Sequence, residues 1–121
     1  MSVFQDIAPD KILFQNSHFF IIKDGFPVSP GHLLIISKRP VTDFFELNNI
    51  EQQTLSLAII AAKNIIEQTQ QPDGYNIGMN CGAAAGQTVM HFHCHVIPRY
   101  IGDMPNPRGG VRHCVAGKGD Y

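Results

Sequence analysis

Charge of one sign is in short supply in this chain: nine basic residues face ten acidic ones among 121, leaving a net charge near zero. No global field gathers nucleic acid or an anionic membrane, so an anionic ligand has to be captured by local groups. Long apolar runs are missing as well. The richest stretch, Leu55 to Ile66, is broken by Ser56, Lys63 and Asn64, and the N-terminus lacks a basic region followed by an apolar core and a cleavage site. A soluble, unexported protein without a membrane partner is expected. Cysteine is sparse and odd in number: Cys81, Cys94 and Cys114 form no Cys-x-x-Cys pair. That argues against a disulfide framework and a zinc ribbon, and fits a reducing, cytoplasmic setting. With no internal repeat, low-complexity tract or linker before about residue 101, one domain over 1–121 is expected, ending in an irregular segment of about 101–121.

What is there begins with short β-rich runs. Ile12 to Gln15, Phe19 to Lys23 and "HLLIIS" (His32 to Ser37) are separated by turn-forming stretches such as "FPVSPGH". The period then changes. Leu55, Ala58, Ile59, Ala62, Ile65 and Ile66 fall on one helical stripe, with Gln52, Lys63 and Glu67 off it. Asn48 caps this helix with Glu51 three residues on, and Pro72, Asp73 and Gly74 end it. "YNIGMN" reads as a further strand and "CGAAAG" as a loop. A sheet carrying one long helix is an α+β class.

The most informative stretch is "MHFHCHVIPR", which places three of the six histidines at every second position, His91, His93 and His95. Side chains alternate along a strand, so the three imidazoles share one face, about 7 Å apart, while Phe92, Cys94 and Val96 bury the other. Two chemistries use such a row. Zinc binding takes two of the histidines plus another ligand such as His32; no carboxylate lies close in sequence for ligation or support, which leaves only distant carboxylates to converge on the row. Nucleophilic catalysis takes a neutral imidazole whose neighbours orient it and donate protons. Adjacent imidazoles disfavour one another's protonation, which keeps one of them neutral near pH 7. A third possibility is a solvated face with no chemistry at all.

"GQTVMHFHCHVIPR", Gly86 to Arg99, resembles the signature of the histidine-triad (HIT) family of nucleotide hydrolases and transferases. The similarity extends upstream through "PGHLLIISKRPV", the helix and "NIGMNCGAAAGQ", and so covers roughly Asn16 to Arg99. The resemblance implies a five-stranded antiparallel sheet with one long helix and a short one, the sheet extended across a homodimer. It implies that His93 attacks the α-phosphorus of a nucleotide, with His91 and His95 flanking the phosphate and His32 extending the imidazole cluster. A nucleotidyl-histidine forms, water resolves it, and AMP or a similar monophosphate leaves. The nucleophile needs a fixed tautomer, for instance by donating its other N–H to a backbone carbonyl.

By the same resemblance Gln87 and Thr88 contact phosphate and leaving-group oxygens, Asn80 lies near the α-phosphate, and Asp24 contacts the ribose. Residue chemistry alone leaves each of these open to a plain turn or loop role. Phe19, Phe20 and Ile22 either form a base slot or are core. Gly82 and Gly86 bring backbone N–H groups towards phosphate or only serve a turn. Arg108, Arg112 and Lys118 meet distal phosphates or form a solvated tail. Cys94 is a buried, inert thiol. The structural zinc of some relatives needs a Cys-x-x-Cys that is absent here, so neither metal nor cofactor is expected. The purine nucleotide substrate is a dinucleoside polyphosphate, towards which "GQTV" leans, or a phosphoramidate, towards which Asp24 leans. Transfer to a second phosphate is disfavoured because the third histidine is intact. Two other function classes remain: a metal-dependent hydrolase, and a purine-nucleotide-binding module without turnover.

Overall fold

The computed structural model describes residues 2–121. Its regular elements are β1 (Phe14–Gln15), β2 (Phe19–Lys23), β3 (Leu33–Ser37), α1 (Asn49–Glu67), β4 (Gly74–Gly78) and β5 (His93–Arg99). The strands form one antiparallel sheet in the order β1-β2-β3-β5-β4. The last strand in sequence therefore lies between β3 and β4, which places the histidine stretch inside the sheet. Among the described residues α1 is the sole α-helix, and the short helical pieces, such as Phe44–Glu46, are 3-10 turns. None of the described helices is long and apolar enough to cross a membrane.

Alternation sorts the sheet into two faces. Phe19, Ile21, Leu33, Ile35, Cys94 and Val96 pack against Leu55, Ala58, Ala62 and Ile66 of α1. Phe20, Ile22, Leu34 and Ile36 point the other way, under Phe4, Ile7 and Ile12 of the N-terminal segment. Because Ile36 is opposite His93 and Leu34 opposite His95, both imidazoles belong to this second face. Phe19 is thus core, while Phe20 and Ile22 lie on the histidine face.

The start of α1 follows its sequence. Asn48 accepts from the Glu51 amide (2.9 Å), and the Glu51 carboxylate accepts from the Asn48 amide (2.8 Å). Glu51 is also buried and receives both Nε (3.0 Å) and Nη2 (2.7 Å) of Arg39. The guanidinium bonds hold its carboxyl below the usual glutamate range, against the opposing cost of burial. A depressed carboxyl contributes stability that is present above its unfolded value and lost as pH falls through the folded one. Glu51→Gln therefore costs about 2 kcal/mol near neutral pH. In urea melts at a series of pH values, the gap between native and variant should close below about pH 4.

Candidate active site

Two turns deliver the upstream residues. Gly31, at φ 94°, holds a left-handed conformation immediately before β3, and a Cβ there would meet Ile66 and Pro98 at 3.4 Å. This turn sets His32 at the entrance to the central strand β3, buried, with its Nδ1 accepting from the Val28 amide at 3.1 Å. An amide nitrogen can only donate, so the ring proton of neutral His32 resides on Nε2. At the end of β2, Asp24 accepts from the Phe26 amide (2.7 Å), which fixes its carboxylate, and its Oδ2 lies 3.3 Å from His32 Nε2.

His95 completes this group. Its Nδ1 lies 2.9 Å from His32 Nε2 and 3.7 Å from Asp24 Oδ2. Since Nε2 of His32 carries the proton, Nδ1 of His95 accepts, and neutral His95 presents Nε2–H as a donor. Burial is the main cause that lowers the pKa of both rings. His32 and His93 add to the depression at His95, and Asp24 opposes it at both. The same tautomer bears on metal binding. Ligand atoms of Asp24, His32 and His95 lie within 4.8 Å of one another, yet a cation on His32 Nε2 would have to displace its proton while Nδ1 still accepts from Val28.

His93 is oriented differently. Its Nδ1 lies 2.8 Å from the main-chain oxygen of His91, which can only accept. The proton is therefore on Nδ1, and the lone pair is on Nε2, which has no hydrogen-bond partner among the described residues. The Phe4 ring meets the His93 ring edge to face, with centroids 5.1 Å apart, and His95 stands 5.5 Å away on the other side.

Three groups of candidates are engaged by bonds within the fold. His91 does not share the open face with His93 and His95. Strand pairing begins only at His93, and His91 is buried beneath the N-terminal turn. Its Nε2 donates to Ser37 O (2.7 Å) and its Nδ1 accepts from Ser2 Oγ (2.7 Å), so no ring nitrogen is left for a phosphate. Gln87 is buried too, with Oε1 accepting from the Gly82 amide (2.8 Å) and Nε2 donating to Thr42 O and Val89 O (2.7 and 3.1 Å). It ties the loop together and does not reach outward. The glycine loop, finally, spends the amides of Gly82, Ala85, Gly86 and Gln87 on bonds inside itself, leaving none of these four for a phosphate. Gln87→Ala removes three bonds to part-buried backbone and is expected to lower stability by about 1–3 kcal/mol in thermal melts.

The other candidates are placed more openly. Thr88 is exposed at the foot of the loop, and Asn80 lines a cavity that includes His95. Arg108 and Arg112 do not face this cavity. Each stacks over the Tyr121 ring at 4.8 Å, and Arg112 Nε donates to Lys118 O. Cys94 lies on the helix side, its thiol pushed up to about 12 by burial. Sequence reasoning missed Ser2 and Phe4, which carry no local signal for packing on residues almost 90 positions away. It also missed the contact of Asp24 with two histidines, which depends on sheet register.

Comparison with known proteins follows the geometry. A family model described as the HIT domain matches residues 5–102. An uncharacterised HIT-like protein of Mycoplasma genitalium is 37% identical over 102 residues, covering 81% of this chain and 72% of that protein. A protein of Mycobacterium tuberculosis named AP-4-A phosphorylase is 35% identical over 85 residues, which span 69% of this chain and 44% of the phosphorylase. Among solved structures, a HIT family hydrolase from Clostridium thermocellum aligns with a TM-score of 0.71 at 34% identity, covering 87% of this chain and 95% of that one.

Proposed function

This chain belongs to the HIT family, and on that footing we propose that it hydrolyses a purine nucleotide at the α-phosphate through a covalent intermediate on His93. The observation that carries the proposal is the bond from His93 Nδ1–H to the His91 carbonyl, which directs an unprotonated ring nitrogen to the open face. In the first step the Nε2 lone pair bonds to phosphorus while the bond to the leaving atom breaks. The leaving atom keeps that electron pair and takes a proton from water. The carbonyl at Nδ1–H stabilises the positive charge that the ring acquires.

In the second step a water oxygen bonds to phosphorus and the P–N pair returns to the ring. The proton shed by this water balances the one taken earlier, and a nucleoside monophosphate is released. His95 serves as a donor to a non-bridging oxygen through Nε2–H, and His32 maintains that orientation. Asn80 and Thr88 contact the phosphate groups, and Asp24 the ribose. The base lies along Ile22 and Ile7, which share with Asp24 a cavity of about 400 Å³. A two-fold homodimer belongs to the same proposal, since β4 leaves a sheet edge unpaired and Ile50, Leu57 and Ile60 form an exposed apolar stripe on α1 opposite its core face.

The test is to quench a single turnover of α-labelled adenosine phosphoramidate and search the protein for a labelled phospho-imidazole. The proposal expects the label on residue 93 and overall retention of configuration in a chiral thiophosphate product, because two displacements occur. Inversion, or full activity in His93→Ala, refutes it. Loss of native activity to a chelator would favour the metal-dependent alternative.

A further inference from the structure

A phosphate held against His95 brings negative charge to a place with few fixed cations. Among the described residues, those lining the cavity that includes His95 contain no lysine or arginine. Arg99, further along the same strand, is tied to Asp103 at 2.6 and 2.8 Å and to Asn76 at 2.6 Å. A second proton on an imidazole is the remaining source of positive charge, and neither ring of the buried pair accepts one freely. The open nitrogen of neutral His95 is Nδ1, which faces the Nε2–H of His32 at 2.9 Å. The open nitrogen of His32 is its own Nδ1, which faces the Val28 amide at 3.1 Å. In either place the added proton would set two N–H donors against each other.

Asp24 resolves this conflict at His95. Its Oδ2 lies 3.3 Å from His32 Nε2 and 3.7 Å from His95 Nδ1, so one carboxylate oxygen faces both nitrogens and has lone pairs for two protons. The His32 proton can turn from His95 to Asp24, and a proton added to His95 Nδ1 then meets the same oxygen once the rings close by about half an ångström. The carboxylate is steadied by the Phe26 amide and its side chain is 13% exposed, so solvent screens its charge only in part. Burial depresses both imidazoles, and Asp24 opposes that depression at each. Other titratable groups surround the pair without bonding to it. His93 stands on β5 with its ring 5.5 Å from that of His95; Lys23 of β2 and Asp10 and Lys11 of the N-terminal segment are exposed beside Asp24; Cys114 is exposed beside His95. From β4, the residue opposite His95 is Gly78, which carries no charge.

Resting on the hydrolase proposal, which puts a phosphate beside His95, we infer that Asp24 is a positioning residue for the imidazole pair: it is the counter-charge that lets His95 take a proton from solvent as the nucleotide binds, so that an imidazolium meets the phosphate. The proton comes from water or buffer, one N–H bond forms at His95 Nδ1, and the proton returns to solvent when the monophosphate leaves. This role is separate from a contact of Asp24 with the ribose, and it leaves His93 neutral for attack.

The experiment titrates the full chain with the methyl ester of AMP, a phosphodiester with one fixed negative charge and a leaving group too poor to depart during the measurement. Calorimetry in buffers of different ionisation enthalpy counts the protons taken up on binding. The native protein is expected to take up about half a proton or more per site at about pH 7, and its affinity to weaken about 5-fold between about pH 6 and about pH 8. Asp24→Asn keeps an amide oxygen for Phe26 and for the ribose but removes the charge, so uptake should fall below about a tenth of a proton and the affinity should lose its pH dependence. With the 2′,3′-dideoxy ester, which has no ribose hydroxyls, the same difference between native and variant should persist. Histidine nitrogen-15 spectra of the native complex test the point without a variant, since both His95 nitrogens should be protonated. Native uptake near zero, uptake that survives Asp24→Asn, or a His95 nitrogen left unprotonated overturns the inference and leaves the nucleophile at position 93 untouched. So does a variant effect that disappears with the dideoxy ester, because Asp24 would then act through the sugar. A native protein that binds neither ester overturns both this inference and the hydrolase proposal.

Discussion

Replacing His93 by alanine is expected to lower kcat/KM by about 10,000-fold or more, because the displaced bond has no other nitrogen to receive the phosphorus. The loss should appear in kcat, with nucleotide binding and thermal midpoint close to native. Half-buried at the mouth of the site, His93 donates one hydrogen bond and makes an edge contact with Phe4. Its removal takes little from the core. Isothermal titration with AMP, set beside steady-state rates, separates the two effects: unchanged AMP affinity with vanished turnover is the expected pair. A variant that retained a tenth of native turnover would mean that phosphorus is attacked by something else.

The residue before it should respond in the opposite manner. Phe92 is 1% exposed and packs edge to face against Phe19 with ring centroids 5.9 Å apart. Phe92→Ala creates a cavity between the sheet and α1 and is expected to cost about 3–5 kcal/mol, a large part of the stability of a domain this size. Urea unfolding measures it, and activity should fall in proportion to the folded fraction. Two adjacent residues thus divide the labour of the stretch, one anchoring the strand and the other facing the ligand, as alternation requires.

That alternation was legible in the sequence from residue 93 onward, where His93, His95, Ile97 and Arg99 are half-buried and Cys94, Val96 and Pro98 are buried. His91 keeps to the same side, beside Phe4, but is buried for a definite reason. Beyond Ser37 the partner strand ends, and the Phe92 amide turns to Val41 O (2.8 Å), so the chain has left the regular pleat and the N-terminal turn covers the ring. The helix was legible by its 3.6-residue spacing and its cap by the Asn48–Glu51 pair, but the addition of Arg39 to Glu51 required the connection between β3 and α1. Tertiary register decided the rest. Asp24 and His32 flank a turn in sequence, whereas His95 comes to them only because β5 pairs with β3. Gln87 looks available to a ligand in the sequence because it is a polar side chain in a loop, whereas in the fold its amide bonds Gly82, Val89 and the distant Thr42. The two-fold assembly has no counterpart within one chain, so it rests on resemblance together with the unpaired edge of β4.

The partner that orients His93 is a peptide oxygen, and this has a consequence for mutational robustness. A carboxylate in that position would take up a proton in acid and could be deleted by a single codon change. A main-chain carbonyl does neither. Whatever side chain evolution installs at position 91, the acceptor remains in place, and sensitivity to exchanges there should arise from misplacement of the strand entrance rather than from loss of the orienting bond.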